Sequence, residues 1–283
     1  MKQISIDDSR LTVDAFLLLN IDMSKTQKEL AFLRDLYIGP DWTRRFTELF
    51  DKKFRFADDK EILYVNGGTG IHPLELFERL SIDSRLDAYS EDEESNILAQ
   101  AKADIVGAKI NFSDEFPRQT YDLVIADASF VRPVSLAEFL EEIIDMSDKR
   151  VAFFLPTAGS FGEIFSMLWE SFLNAGLSDK ASEVEGLITE IPLVSRVEEI
   201  AGALGLSGMK AVTEREVFEF ENSTVFIESP LIADFLFPAW LGFLDEEENE
   251  RIRAALARTI DDYAEDLTFR FRVKATLVTG EKR

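Results

Sequence analysis

The stretch that decides the fold is residues 61–76, EILYVNGGTGIHPLEL. It begins with apolar residues typical of a buried strand, turns through Gly67, Gly68 and Gly70, and resumes as a helix that begins near Pro73. Proline is tolerated in the first turn of a helix, because its missing N–H would have no partner there. A strand that ends in glycines and leads into a helix brings backbone N–H groups close to a ligand. The stretch therefore predicts a ligand-binding turn.

The chain of 283 residues is strongly acidic, with a formal net charge of −23 from 54 acidic and 31 basic residues. Such a surface repels phosphate backbones and anionic lipids, so we expect neither nucleic acid nor a membrane as a partner. The chain has no cysteine, which excludes disulfides, thiolate nucleophiles and cysteine-based metal sites. Its single histidine, His72, excludes a multi-histidine metal centre, and we expect no metal.

Two features of the sequence bear on the cellular location of the protein. The first residues, MKQISIDDSR, lack the basic and then apolar pattern of a signal peptide. The longest apolar run, residues 231–244, is interrupted by Asp234 and Pro238 and is too short to span a bilayer. We therefore expect a cytoplasmic protein. We also expect it to act as a monomer or a homodimer.

Short apolar strands alternate with amphipathic helices beyond residue 55. Strands are predicted over residues 61–65, 85–89, 109–112, 121–126 and 151–155, and helices over residues 73–80, 93–103, 135–146 and 161–175. Continuous apolar strands separated by helices indicate a parallel sheet that is covered on both faces. The fold class is therefore predicted to be α/β, with a doubly wound sheet.

The pattern changes in the last third of the chain. Residues 209–220 and 268–278 alternate like strands and are predicted to complete a seven-stranded sheet, with the last strand antiparallel. The segment between them, about residues 221–267, has the spacing of two or three helices. An insertion of that length is typical of a cover over a site. Its aromatic residues Phe235, Phe237 and Trp240 are candidates to line an apolar acceptor pocket.

A helical N-terminal cap is predicted over residues 1–55, in front of an α/β domain that spans residues 56–283. Residues 15–19 are apolar, and residues 25–37 have helical spacing. Asp41 is placed to cap a further helix over residues 42–52.

The glycine turn by itself fits several classes of protein. Such turns after a strand occur in dinucleotide enzymes, phosphate-binding proteins and methyltransferases, and a tight turn without a ligand has the same pattern. No Gly-Lys-Ser/Thr follows the turn, which disfavours Walker-type phosphate binding. The spacing from Asn66 to Gly70 is not G-x-G-x-x-G, and the chain has no Tyr-x-x-x-Lys pair. A dehydrogenase is therefore a possibility without specific support.

Taken in order, the motifs resemble those of class I S-adenosylmethionine-dependent methyltransferases. The VNGGTG turn is similar to the family's first motif, acidic-x-G-x-G-x-G, and AYSEDEE stands where the second strand ends among acidic residues. The turn SDEFP precedes YDLVIAD, residues 121–127, which is similar to the fourth motif. The resemblance covers residues 42–278 and implies a mostly parallel, Rossmann-like sheet with an antiparallel last strand.

The resemblance implies a site for S-adenosylmethionine at the carboxyl ends of the strands. The residues that it assigns to the cofactor are Tyr64, Asn66, Gly67, Gly68, Gly70, Ser90, Glu91, Ser113, Asp114 and Asp127. The turn would approach the methionine part, and the residues after the second strand would approach the ribose and adenine. The residues near positions 113 and 127 would approach the adenine or the floor of the site.

Three positions depart from the family pattern. The acidic residue at the end of the first strand falls on Tyr64, the first glycine on Asn66, and the ribose-binding acid on Ser90, with Glu91 next to it. Asn66 is a tolerable substitute because asparagine adopts left-handed conformations. Tyr64 offers a hydroxyl but no carboxylate for the cofactor's ammonium group, and a lost charge-assisted contact costs about 1.5–3 kcal/mol.

The resemblance implies transfer of the sulfonium methyl group of S-adenosylmethionine to a small or medium-sized acceptor. The layout is similar to small-molecule methyltransferases of the quinone and biotin pathways. The catalytic residue is unknown, with His72 and Asp127 as candidates, and His72 is also typical of an imidazole that packs a helix start. Methyl transfer depends mainly on alignment and exclusion of water, so the lack of an obvious base does not oppose it. Two alternatives stay open, a degenerate fold acting as a non-catalytic binding module and a nucleotide-dependent oxidoreductase.

Overall fold

The computed structural model describes residues 25–264 and 268–283, which form a seven-stranded sheet with helices on both faces. The strands are β1 (Glu61–Val65), β2 (Arg85–Tyr89), β3 (Ile110–Ser113), β4 (Tyr121–Asp127), β5 (Ser147–Thr157), β6 (Leu206–Phe220) and β7 (Phe269–Lys282). Their order is β3-β2-β1-β4-β5-β7-β6. The pairs among β1 to β5 are parallel, and β7 is antiparallel to both of its neighbours. The predicted doubly wound sheet with an antiparallel last strand is confirmed.

The helices are α1 (Gln27–Leu33), α2 (Arg44–Lys53), α3 (Ile71–Phe77), α4 (Glu93–Val106), α5 (Leu136–Asp145), α6 (Gly162–Asn174), α7 (Ala181–Glu190), α8 (Val194–Ala203), α9 (Ser223–Glu228), α10 (Phe237–Leu241) and α11 (Glu246–Ala264). The sequence patterns do not predict α7. No helix in the described part of the chain combines the length and apolarity needed to cross a bilayer.

The alternation of side chains along β1 divides the core into two layers. Ile62 and Tyr64 point into one layer and Leu63 and Val65 into the other, because successive strand residues face opposite sides of a sheet. Side chains on both faces of the strand are buried, which is why its sequence is a continuous apolar run rather than an alternating one.

The N-terminal helical segment differs from the prediction of two helices with a break at Asp41. The backbone stays helical from α1 to α2 through a π-helical section, Arg34–Thr43, that contains Pro40. A proline normally clashes with the carbonyl four residues earlier, and the wider π-helical turn admits an extra residue there. Asp41 caps nothing and instead accepts hydrogen bonds from Arg45 at 3.0 and 3.1 Å. Residues 1–24, including the apolar residues 15–19, lie outside the described residues.

The insertion between β6 and β7 is helical, as predicted. It contains α9, a π-helical section (Leu231–Leu236), α10 and α11, while residues 265–267 at the end of the predicted last helix lie outside the described residues. The ring of Phe226 in α9 lies 4.7 Å from that of Phe269 in β7. This contact fixes the insertion against the strands, so its aromatic residues reach the carboxyl edge of the sheet.

Candidate functional site

The turn after β1 is held by the ends of its neighbouring strands. Asn66 adopts a left-handed conformation, with φ 58°, that asparagine tolerates better than most residues. Its backbone N–H donates to the carbonyl of Tyr89 at 2.9 Å, and its side-chain amide donates to the carbonyl of Asp127 at 3.3 Å. The turn is therefore tied to the ends of β2 and β4, where open α/β sheets bind ligands.

The three glycines of the turn differ in what surrounds them. A Cβ on Gly67 would lie 2.7 Å from the ring of Pro73, and one on Gly70 would lie 2.8 Å from Cβ of Ala99, so both positions are closed by packing. A Cβ on Gly68 would meet only Cδ of Arg34, at 3.5 Å. Gly68 is therefore the glycine of the turn that faces open space.

That space is a cavity of about 510 Å³ at the carboxyl ends of β1, β2 and β4, which we call the polar cavity. Of the residues predicted to bind cofactor, five line it: Asn66, Gly68, Ser90, Glu91 and Asp127. The others do not: Tyr64, Gly67, Gly70, Ser113 and Asp114.

Tyr64 and His72 form a buried pair beneath the turn. The hydroxyl of Tyr64 lies 2.8 Å from Nδ1 of His72, and Nε2 of His72 lies 3.2 Å from a carboxylate oxygen of Asp51. Burial raises the pKa of Tyr64 well above its ordinary value. Burial also tends to raise the pKa of Asp51, but hydrogen bonds from His72 and Arg79 outweigh it and leave that pKa below its ordinary value. The polar atoms of both rings are engaged in this hydrogen-bond network, and neither residue lines the polar cavity.

Asp127, at the end of β4, brings a buried carboxyl to the cavity wall. One of its oxygens accepts the backbone N–H of Ser129 at 2.8 Å. Burial raises the pKa of Asp127, while the hydrogen bonds from Ser129 and the positive charge of Arg34 oppose the rise. A carboxyl in this position is suited to bind a cationic ligand, because a nearby positive charge favours its ionised form.

Ser113 and Asp114 take a structural position instead. The carbonyl of Ser113 accepts the N–H of Ser90 at 3.1 Å, and its hydroxyl accepts the N–H of Glu115 at 3.0 Å. The loop that follows is short, and Phe116 packs its ring 5.6 Å from that of Tyr89. The hydrogen bonds of Ser113 thus shape the turn between β3 and β4, in which Asp114 also lies, outside the polar cavity.

The lining of the polar cavity is acidic. Five carboxylic side chains face it, those of Glu91, Asp92, Asp127, Glu138 and Glu142, against two guanidinium groups. Burial raises the pKa of Glu142, and repulsion from Glu138 and Glu91 adds to the rise. No group of three or more carboxylate or imidazole side chains in the described ranges is arranged to hold a metal ion. The lining favours a cationic organic ligand.

A second cavity, of about 290 Å³, adjoins the first, and we call it the apolar cavity. The two cavities share Arg34, Phe130, Val131 and Arg132. Two of the three aromatic residues predicted to line an acceptor pocket, Phe235 and Trp240, line this cavity, whereas Phe237 is buried outside it.

Sequence reasoning missed both arginines of the shared wall, Arg34 and Arg132, and Arg34 is the buried one. Its guanidinium carbon lies 5.7 Å from the ring centre of Phe130 and 5.0 Å from that of Phe235. Its Nε is buried and has no hydrogen-bond partner among the described residues, with a carboxylate oxygen of Asp92 at 3.5 Å. Burial lowers its pKa, and the charges of Asp92 and Asp127 oppose that effect. Nothing in the spacing of residues 25–37 distinguishes this arginine from a solvated one.

Comparison with known proteins adds to this geometry. No protein-family model and no curated protein sequence matches the chain. Among solved structures, YcgJ from Bacillus subtilis is 13% identical, with 85% of this chain and 99% of that chain covered and a TM-score of 0.53. A protein of Bacillus halodurans C-125 with a provisional methyltransferase assignment is 12% identical, with 84% and 99% covered and a TM-score of 0.52. The chain has the class I methyltransferase fold.

The class I methyltransferase fold does not by itself determine a reaction. The cyclase SpnF is similar to this chain too, with 14% identity, 92% of this chain and 97% of that chain covered, and a TM-score of 0.50. Function must therefore be argued from the site.

Proposed function

We propose that this protein binds S-adenosylmethionine in the polar cavity and transfers its methyl group to a small or medium-sized acceptor in the apolar cavity. One observation carries the proposal: an acid-lined cavity at the carboxyl ends of β1, β2 and β4 shares a wall with an apolar cavity of smaller size. Two reactants held in adjoining cavities are what a group transfer without a protein-bound intermediate requires.

The charge of the lining supports this cofactor over a dinucleotide. S-Adenosylmethionine carries a sulfonium and an ammonium group, and five carboxylic side chains surround the cavity. A nicotinamide dinucleotide would bring two negative phosphates against the same side chains, which costs free energy in a partly buried site.

The residues present fit the parts of the cofactor. Ser90 and Glu91 follow β2, where they would approach the ribose hydroxyls, and the turn at Asn66 and Gly68 would approach the methionine part. Asp127 would supply the carboxylate for the ammonium group that Tyr64 does not. The departure at the end of β1 would thus be compensated from the neighbouring strand.

When bound, the cofactor supplies an electrophilic methyl group on sulfur. The chain's own residues would hold the acceptor beside it in the apolar cavity, where Phe161 and Trp240 form apolar walls with ring centres 5.0 Å apart. Positioning of two reactants in this way supplies about 7–11 kcal/mol of a barrier.

A non-catalytic binding module is a second candidate, and one observation favours it. The position that carries an acid in the resembled motif is occupied by Tyr64, whose hydroxyl is bonded to His72. In that case the cavity would have no affinity for S-adenosylmethionine.

Calorimetric titration of the purified chain with S-adenosylmethionine, S-adenosylhomocysteine and NAD tests the proposal. Binding of both sulfur ligands in the micromolar range, and not of NAD, is the expected result. A folded sample that binds neither sulfur ligand would contradict the proposal and favour the binding module. Binding of NAD alone would favour the oxidoreductase.

A further inference from the structure

We propose that the acceptor is a small apolar carboxylic acid, methylated on its carboxylate oxygen, because two arginines stand on the wall that the polar and apolar cavities share. This inference rests on the proposed methyl transfer and specifies the class of substrate.

The body of the acceptor must be compact and apolar. The apolar cavity holds about 290 Å³, at the small end of the range for ligand pockets. Phe161, Phe165 and Trp240 form one side, with the rings of both phenylalanines centred 5.0 Å from the indole. Such walls bind a hydrocarbon or aromatic body and offer little to a sugar or a polar chain.

The charges at the boundary select an anion. The buried Nε of Arg34 lies 3.5 Å from a carboxylate oxygen of Asp92 and has no hydrogen-bond partner in the described part of the chain, so its donor capacity is not used up. Arg132 is exposed at the mouth and forms no ion pair with any residue in the ranges 25–264 and 268–283. Of the two acids on the apolar cavity, Asp234 is paired with Lys25 at 2.5 Å and Glu190 lies exposed at the rim. Guanidinium groups with free donors are suited to a carboxylate.

An amine is a poorer fit on the same wall. The guanidinium of Arg34 already lies against the rings of Phe130 and Phe235, which is the position where an ammonium group would gain a cation–π interaction. An ammonium group there would also face the positive charge of Arg34.

The side chains within reach also favour an acceptor that needs no deprotonation. The described lining of the apolar cavity contains no histidine, lysine, tyrosine or cysteine, and neither of its two carboxylates is well placed as a base, because Asp234 is paired with Lys25 and Glu190 is exposed at the rim. His72 is engaged by Tyr64 and Asp51 away from both cavities. An alcohol or an ammonium group must lose a proton to react, whereas a carboxylic acid is ionised at neutral pH.

The chemical step balances without a co-reactant. A lone pair of the carboxylate oxygen forms the new O–CH₃ bond, and the S–CH₃ bond breaks with its electron pair going to sulfur. The products are a methyl ester and neutral S-adenosylhomocysteine, and no proton is released. Arg34 and Arg132 would orient the carboxylate by donating hydrogen bonds to it.

Binding of three probes with one body tests the proposal: phenylpropanoate, phenylpropanol and phenylpropylamine, titrated by calorimetry into the protein saturated with S-adenosylhomocysteine. We expect the acid to bind about tenfold or more tightly than the other two, since charge-assisted pairs are the stronger ones. Arg132→Gln should weaken binding of the acid about tenfold and leave the alcohol unchanged. Arg258→Gln, on the exposed surface of α11, is the matched control and should change neither.

Each other result counts against the carboxylic acid. Binding of the alcohol or the amine as tightly as the acid, no binding of any probe, or an unchanged acid affinity in Arg132→Gln would overturn it. If S-adenosylhomocysteine itself does not bind, the proposed function fails first and this inference fails with it. With labelled cofactor, the product should release methanol in alkali as a methyl ester does, and an alkali-stable product would overturn the proposal.

Discussion

The indole N–H of Trp42 donates a hydrogen bond to the hydroxyl of Ser129, 3.0 Å away, and both residues are buried. The backbone N–H of Ser129 in turn donates to the carboxylate of Asp127. The N-terminal helical segment is therefore connected to the end of β4 through one serine. A substitution in the segment should alter the position or the hydrogen bonding of Asp127 at the cavity wall, because buried polar groups that lose a partner must move or be left unsatisfied.

Replacing Trp42 with phenylalanine keeps an aromatic ring and removes the donor. We expect the free energy of unfolding to fall by about 1–3 kcal/mol, the cost of leaving a buried polar group without its partner. Urea unfolding measures the loss. Ser129→Ala and the double variant complete a cycle, and strict additivity of the two single effects would show that the bond contributes nothing.

Gly68 is the turn position whose side chain would enter the polar cavity. In Gly68→Leu, we expect binding of S-adenosylmethionine to weaken about tenfold or more, which corresponds to 1.4 kcal/mol. Calorimetry measures the change. Gly107, at the end of α4, is the matched control, because its φ of 70° is also left-handed and a Cβ there would meet nothing within 4 Å. Gly107→Leu should incur a similar backbone strain and keep the parent's affinity for S-adenosylmethionine. Equal losses of affinity in the two variants would refute the assignment of Gly68 to the cofactor site.

Asp127 should make stability depend on pH. Burial raises its pKa above the ordinary value of 3.8, so the folded protein keeps a proton that the unfolded chain has lost. Stability from this residue is therefore complete below pH 3.8 and is lost as the pH rises through the folded pKa. Asp127→Asn retains an oxygen for the N–H of Ser129 and avoids the buried charge. We expect it to be more stable than the parent at pH 7, with the difference shrinking as the pH falls.

The same Asp127→Asn variant should bind S-adenosylmethionine more weakly, because it lacks the charge for the ammonium group. Thermal unfolding from pH 3 to 8 and calorimetry at pH 7 measure the two effects. The exposed Asp58→Asn controls for the change in net charge. A stability difference that is constant with pH would show that Asp127 is not the group responsible.

Phe161 combines a left-handed backbone, φ 61°, with a buried ring in the apolar cavity wall. A side chain in this conformation costs about 1–2 kcal/mol, and glycine avoids the cost. We therefore expect Phe161→Gly to be more stable than Phe161→Ala by about 1 kcal/mol in urea unfolding. At Phe165, inside α6, the order should reverse, with alanine the better residue by about 1 kcal/mol. The same order at both positions would contradict the assignment of strain to Phe161.

The strands and the glycine turn were predictable because their signals are local. The apolar run of β1, the glycines after it and the alternation of β7 are all read within a few residues. The break expected at Asp41 was wrong because an aspartate signals a helix start only when its side chain accepts a backbone N–H, and here its carboxylate accepts from Arg45 inside the continuous helical segment. The position of Ser113 outside the polar cavity likewise depends on the short loop that follows it, which no local signal describes.

Local chemistry along the chain thus determined the order of strands and helices, the glycine turn after β1 and the acidic character of the protein. Tertiary structure decided which side chains share a cavity. Arg34 and Asp127 stand at one wall only because the N-terminal helical segment lies across the carboxyl edge of the sheet. Tyr64 does not line the cavity because successive strand residues face opposite sides of the sheet, and its side chain points into a core layer. There its hydroxyl contacts His72, which in turn contacts Asp51. Contacts between residues this far apart in sequence are set by packing of the whole core, and no window of the sequence contains them.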